Sequence, residues 1–112
     1  MYRINNKTWN IRLVQSDSPM LMRSDGSYTV GTCDRDTQTI YLSNMLQGKF
    51  LRKVIIHEVC HSAMWSYGIY MSLEQEEQFC DLMASYGDEI FNVADSLFAA
   101  LRRTKGGNRG IA

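Results

Sequence analysis

The chain has 112 residues, 45% of them hydrophobic and 11% aromatic, which is one domain's worth and excludes both a second catalytic domain and an intrinsically disordered body. Lys+Arg and Asp+Glu number 12 each, so net charge gives no reason to expect a nucleic-acid or membrane-surface partner. The neutrality is uneven: Arg102, Arg103, Lys105 and Arg109 all follow residue 101, leaving 8 basic against 12 acidic groups before it, a net of −4.

In chain order, residues 8–14 (TWNIRLV), 27–33 (SYTVGTC) and 38–42 (QTIYL) are rich in β-branched and aromatic residues and are predicted strands. A loop around Pro19 and a turn at Ser24-Asp25-Gly26 separate the first two, and Asp34-Arg35-Asp36-Thr37 closes a hairpin between the second and third. After a short turn near 44–47, a helix is expected from about Phe50 to Tyr67, ended by Gly68 in the left-handed conformation. Leu51, Val54, Ile55, Ile56, Val59, Ala63, Met64 and Trp65 make it apolar on more than one face, which marks a central helix. Ser72 and Gln75 form a capping box that starts a second helix, running to about Tyr86. Gly87 is expected to interrupt it, with Asp88 capping a third helix whose Ile90, Phe91, Ala94, Leu97, Phe98 and Leu101 form one stripe. Residues 1–103 thus read as a single α+β domain, a small antiparallel three-stranded sheet followed by three helices, and residues 104–112 as a flexible basic tail.

No apolar run approaches the roughly 18 residues needed to span a bilayer, and the opening MYRINNKTWN has no signal-peptide design. Cys33, Cys60 and Cys80 match no CxxC spacing, so the reading is reduced thiols in a cytoplasmic protein. Cys60 and the seven methionines are read as core packing.

Both histidines fall in His57-Glu58-Val59-Cys60-His61 on the expected central helix. Residues four apart share a helix face, so the two imidazoles can meet one metal ion while Glu58 stands about 100° around the axis. Two His ligands with an intervening Glu free to take a proton from metal-activated water are the requirements of a zinc peptidase. For two histidines in a chain of this length, that arrangement is a coincidence of order one in a thousand. Neutral imidazoles plus a carboxylate suit tetrahedral zinc with one open position. No third His exists, so the third ligand must be a carboxylate, with Glu74, Glu76, Glu77, Asp81 and Asp88 as candidates. Glu77 is preferred because Asp81, four residues on, can accept the second imidazole N–H of a ligating His. Glu76 is the competitor, one step away in helix phase.

His57-Glu58-x-x-His61 followed by Glu77-x-x-Cys80-Asp81, after a hairpin ending in Thr39-Ile40-Tyr41-Leu42, resembles the small gluzincins, and most of all the ImmA/IrrE-like metallopeptidases of bacteria, phages and mobile elements. The likeness covers about residues 27–86. It implies a minimal zincin-like domain in which Glu77 is the third zinc ligand and Cys80, Asp81 and Ala84 occupy the places that follow it. It also implies that Thr39, Ile40, Tyr41 and Leu42 form the sheet edge along which a protein or peptide substrate lies. The 112 residues contain no helix-turn-helix or sensor part, so repressor cleavage is not implied, and the SprT-like proteases are disfavoured by the missing third His and zinc-ribbon cysteines. On this reading Glu58 is the general base, and Tyr67, Tyr70 and Tyr86 are candidates for stabilising the transition state by their position after the motif. The alternative is a non-catalytic metal-containing module of a phage or mobile element that docks a partner strand in the same groove.

Overall fold

The computed structural model describes residues 1–104. Its order is β1 (Tyr2–Ile4), β2 (Lys7–Val14), a 3-10 turn (Pro19–Leu21), β3 (Gly31–Asp34), β4 (Thr39–Ser43), α1 (Gly48–Ser66) and α2 (Leu73–Thr104). The class is α+β, but the expected three antiparallel strands and three helices are replaced by a four-stranded mixed sheet and two helices. Residues 105–112, almost all of the expected tail, lie outside the described residues, and Thr104 belongs to α2.

The additional strand, β1, pairs antiparallel with β2 through a two-residue turn in which Asn5 and Asn6 both take positive φ (47° and 65°). That geometry matches the right-handed twist of the flanking strands, and Asn tolerates it better than most residues. The sheet order is β1-β2-β4-β3, with β2 and β4 parallel (Ile11 opposite Ile40, Leu13 opposite Leu42) and β3 antiparallel to β4. The excursion from Gln15 to Val30 therefore carries the chain past the place β4 will fill, and the tight β3–β4 hairpin brings it back. Asp34 Oδ1 accepts the Asp36 and Thr37 N–H groups in that hairpin (3.0 and 3.4 Å). β4 is consequently an interior strand, and all five of its residues are buried. Ile40 and Leu42 meet Leu46 and Val54 of α1 in the core, with Leu51, Ile55 and Val59 packed around them.

The N-terminal hairpin is fastened to α1 by side chains. Tyr2 Oη donates to Ser62 Oγ, Asn5 Nδ2 to the Ser66 carbonyl and Trp9 Nε1 to Ser66 Oγ, each at 2.8 Å. Helix α1 ends as expected, with Gly68 at φ 66° and the Ile69 N–H returning to the Met64 carbonyl at 2.9 Å. The capping box of α2 is formed, Gln75 N–H to Ser72 Oγ (3.1 Å) and Ser72 N–H to Gln75 Oε1 (3.3 Å). The break at Gly87 is absent: α2 is one helix of 32 residues. A helical glycine costs only about 1 kcal/mol relative to alanine, not enough by itself to end a helix, and Gly87 is itself buried. Asp88 caps nothing and instead makes a two-pronged pair with Arg52 of α1 (2.7 and 3.0 Å). No helix among the described residues is long and apolar enough to cross a membrane.

Candidate metal centre

Helices α1 and α2 run antiparallel, so the histidine turn of α1 faces the first turns of α2. His57 and His61 lie one helical turn apart with their Nε2 atoms 3.2 Å from one another. The Glu77 carboxylate closes the triangle: Oε1 is 2.9 Å from His61 Nε2 and Oε2 is 3.2 Å from His57 Nε2. The donor atoms of these three residues all lie within 4.8 Å of one another, and the group can hold a metal ion. Two imidazole lone pairs and a carboxylate cannot share such a space without a cation or proton between them. Tetrahedral zinc with Zn–N bonds of 2.0–2.1 Å sets neighbouring ligand atoms about 3.3 Å apart, close to the spacings here, so the donor set fits that ion.

A second ring of carboxylates addresses the other imidazole nitrogens. Asp81 Oδ1 is 2.9 Å from His57 Nδ1, and Glu76 Oε2 is 3.2 Å from His61 Nδ1. The latter approach lacks hydrogen-bond alignment, which leaves His61 Nδ1 a buried atom without a formed bond. Glu76 and Glu77 thus divide the two sides of one ring: Glu77 meets Nε2 and Glu76 meets Nδ1. Helix periodicity could bring both into the neighbourhood, because adjacent helical residues diverge by about 100°, but could not say which nitrogen each would reach.

Glu58 is buried, and its carboxyl is pushed up to about 7, by desolvation first and by the neighbouring Glu77 charge, with His57 opposing. It shares a cavity of about 680 Å³ with His57, His61, Glu77, Val54 and Trp65. The wall opposite α1 is β3, with Gly31 and Cys33 in the lining. A Cβ at Gly31 would come within 2.8 Å of Val54 Cγ1 and 3.2 Å of Glu58 Oε2. The missing side chain is what lets the strand lie against the carboxylate.

No family model, curated protein or solved structure matches the chain.

Two expectations are corrected by the site. Thr39–Leu42 is not the sheet edge, because β4 pairs on both sides; the edge beside the metal centre is β3. Tyr67, Tyr70 and Tyr86 are exposed and none lines the cavity. Tyr67 caps the end of α1, whose axis carries it away from the histidines, and Tyr86 lies more than two turns past Glu77 on α2. Tyr70 accepts a hydrogen bond from Arg35 (3.1 Å), whose guanidinium lies 6.0 Å from the centre of the Trp65 ring. The cations in the cavity wall are instead Arg23 and Lys53. Gly31, Arg23 and Lys53 escaped the sequence reading and carried no spacing signal; the adjacency of Glu76 to Glu77 was the one available pointer to a second imidazole partner.

Cys60 and Cys80 sit beneath this site and contact each other across the two helices. The Cys60 thiol is lowered to about 7 by its hydrogen bond with Cys80, against burial, while Cys80 is pushed up by the same bond and by burial. Both are free thiols.

Proposed function

We propose that the chain is a zinc-dependent metallopeptidase of the gluzincin kind that hydrolyses peptide bonds in a strand laid along β3. The observation that carries this reading is the buried Glu58 carboxyl in the same cavity as the convergent His57, His61 and Glu77 donors, since a merely structural metal site has no use for it. His57, His61 and Glu77 would hold the zinc ion, which would supply a Lewis acid for the scissile carbonyl and a water acidified to a pKa of about 7. Glu58 takes the water proton and delivers it to the leaving amine nitrogen. Asp81, 2.9 Å from His57 Nδ1, is placed to accept that proton and so fix the tautomer that presents Nε2 inward, while Glu76 sets its charge beside His61 Nδ1 without a formed bond. As the terminal strand of the sheet, β3 has the free edge that an extended peptide can join by main-chain hydrogen bonds, and Gly31 keeps that edge close to the base.

The test compares wild-type and Glu58→Gln proteins, both loaded with zinc, on an unfolded protein substrate. Expected is equal zinc content with cleavage reduced by about 10²–10⁴-fold, the usual contribution of a positioned base. Equal cleavage by the two removes Glu58 from the chemistry. Equal zinc content with no cleavage by either favours the non-catalytic strand-docking module.

A further inference from the structure

The cleft between α1 and β3 has two unlike ends. β3 runs in the direction of α1: Gly31, at its start, lies against Val54 and Glu58, and Arg35, just past its end, lies over Trp65. The Trp65 end satisfies its own cation, because Arg35 donates to Tyr70 Oη (3.1 Å) and its guanidinium lies 5.3 Å from the centre of that ring. The other end, level with the start of α1, is lined by Arg23 and Lys53 beside Val30 and Phe50. Among the described residues neither of these cations is in an ion pair. The nearby acids are committed elsewhere: Asp25 Oδ1 accepts from the Ser27 N–H and Oγ–H (2.9 and 2.6 Å), Asp88 holds Arg52, and Asp81 faces His57 Nδ1.

Arg23 is held by a tight turn. Its N–H donates to the Ser27 carbonyl (2.7 Å), its carbonyl accepts the Gly26 N–H (2.9 Å), and the Thr29 N–H returns to the carbonyl of the buried Leu21 (2.9 Å). Lys53 precedes His57 by four residues, which puts it on the same face of α1, about 6 Å along the axis. A strand advances about 3.3 Å per residue, so a substrate group at the two cations belongs about two residues from one at the metal. We propose, resting on the peptidase reading, that Arg23 and Lys53 receive a carboxylate of the substrate, about two residues from the bond that is cut. A guanidinium fork and a mobile ammonium together suit that group, and Val30 and Phe50 give the apolar stem of its residue a surface to lie on. The carboxylate comes from an acidic side chain or from the C-terminus of the substrate chain.

Calorimetric binding to the zinc-loaded Glu58→Gln protein tests this without requiring cleavage. The probes are uncharged, end-capped host peptides with a single Glu moved through each position, the same peptides with Gln or Lys there, and the host with a free C-terminal carboxylate. One Glu position, or the free C-terminus, is expected to tighten binding about three- to thirtyfold over its neutral counterpart, as two solvent-exposed ion pairs acting together would, and Lys at that position to weaken it. Arg23→Gln with Lys53→Gln should abolish the margin, and Arg23→Glu with Lys53→Glu should turn it in favour of Lys. Both side chains are exposed, so these variants are expected to fold, with circular dichroism and zinc content checked on each. A margin seen with Glu assigns the cleft to acidic sequences, and one seen only with the free C-terminus assigns it to chain ends. A carboxylate preference that survives both double variants belongs to the zinc ion and overturns the proposal. So does equal binding of the Glu, Gln, Lys and free-carboxylate peptides, or no binding by any. If the margin is found while wild-type and Glu58→Gln proteins cleave equally, the carboxylate site stands and the role of Glu58 falls.

Discussion

The first half of α2, from Leu73 to Gly87, and the second, from Asp88 to Thr104, share one apolar repeat but not one environment. In the first half Cys80 is buried and the acids Glu76, Glu77 and Asp81 are turned toward two imidazoles, although Phe79, Leu82 and Tyr86 remain exposed. In the second half the stripe of Ile90, Leu97 and Leu101 faces outward. The molecule is 59 Å long but only 30 by 27 Å across, as a 32-residue helix of about 48 Å requires when its other end outruns the domain. Periodicity states which face of a helix must be covered; it does not state whether the same chain supplies the cover.

The largest effect expected from this contrast lies at the metal end. Glu77→Ala removes a donor that addresses both imidazoles, and zinc affinity measured by chelator competition should fall by more than the 10–100-fold typical of losing an outer partner. Glu76→Gln and Asp81→Asn, which touch only the Nδ1 sides, should stay within that range. If Glu76→Gln proved the more damaging, the third ligand would move by one position and the division of one ring between two neighbouring glutamates would be wrong.

What could be read from sequence follows the range of the interactions involved. The helix end at Gly68, the capping box at Ser72 and Gln75 and the facing of His57 and His61 are set within one or two turns, and all are visible as spacing. The Asn5-Asn6 turn was equally local and marks a hairpin, but its flanking strand of three residues is too short to show alternation. By contrast, the parallel pairing of Asn10 with Thr39 spans 29 positions and leaves no local trace. That pairing makes β4 interior and β3 the edge, which is why the strand resembling a substrate edge in sequence is the wrong one. The tyrosines fail for a related reason: position after a motif fixes distance along the chain, not entry into a cavity. Gly87 was misread because a single helical glycine costs only about 1 kcal/mol and need not end a helix.

A smaller effect separates the core from the distal helix. Leu42 is 1% exposed between β2, β3 and α1, so Leu42→Ala should cost about 2–5 kcal/mol in denaturant unfolding. Leu97→Ala, at a position 57% exposed, should cost no more than about 0.5 kcal/mol. A comparable loss at both positions would mean that the distal stripe is covered within the monomer, and the two halves of α2 would no longer differ.

The smallest effect tests the residue where the halves meet. Gly87→Ala removes the backbone freedom of a helical glycine, which is worth about 0.8–1.0 kcal/mol in favour of the folded helix. Against it stands the new methyl, whose nearest neighbour would be Met83 Cε at 3.3 Å. That atom is the end of a flexible side chain and can give by a few tenths of an ångström, so the opposing cost is a fraction of the gain. The variant should therefore be more stable than wild type by about 0.5 kcal/mol, with zinc affinity unchanged because Met83 and Gly87 lie outside the donor set. Destabilisation instead would show that α1 approaches α2 at Gly87 more closely than the Met83 contact indicates. The glycine would then be there to admit the neighbouring helix, and the boundary between the packed and unpacked halves would lie beyond Asp88.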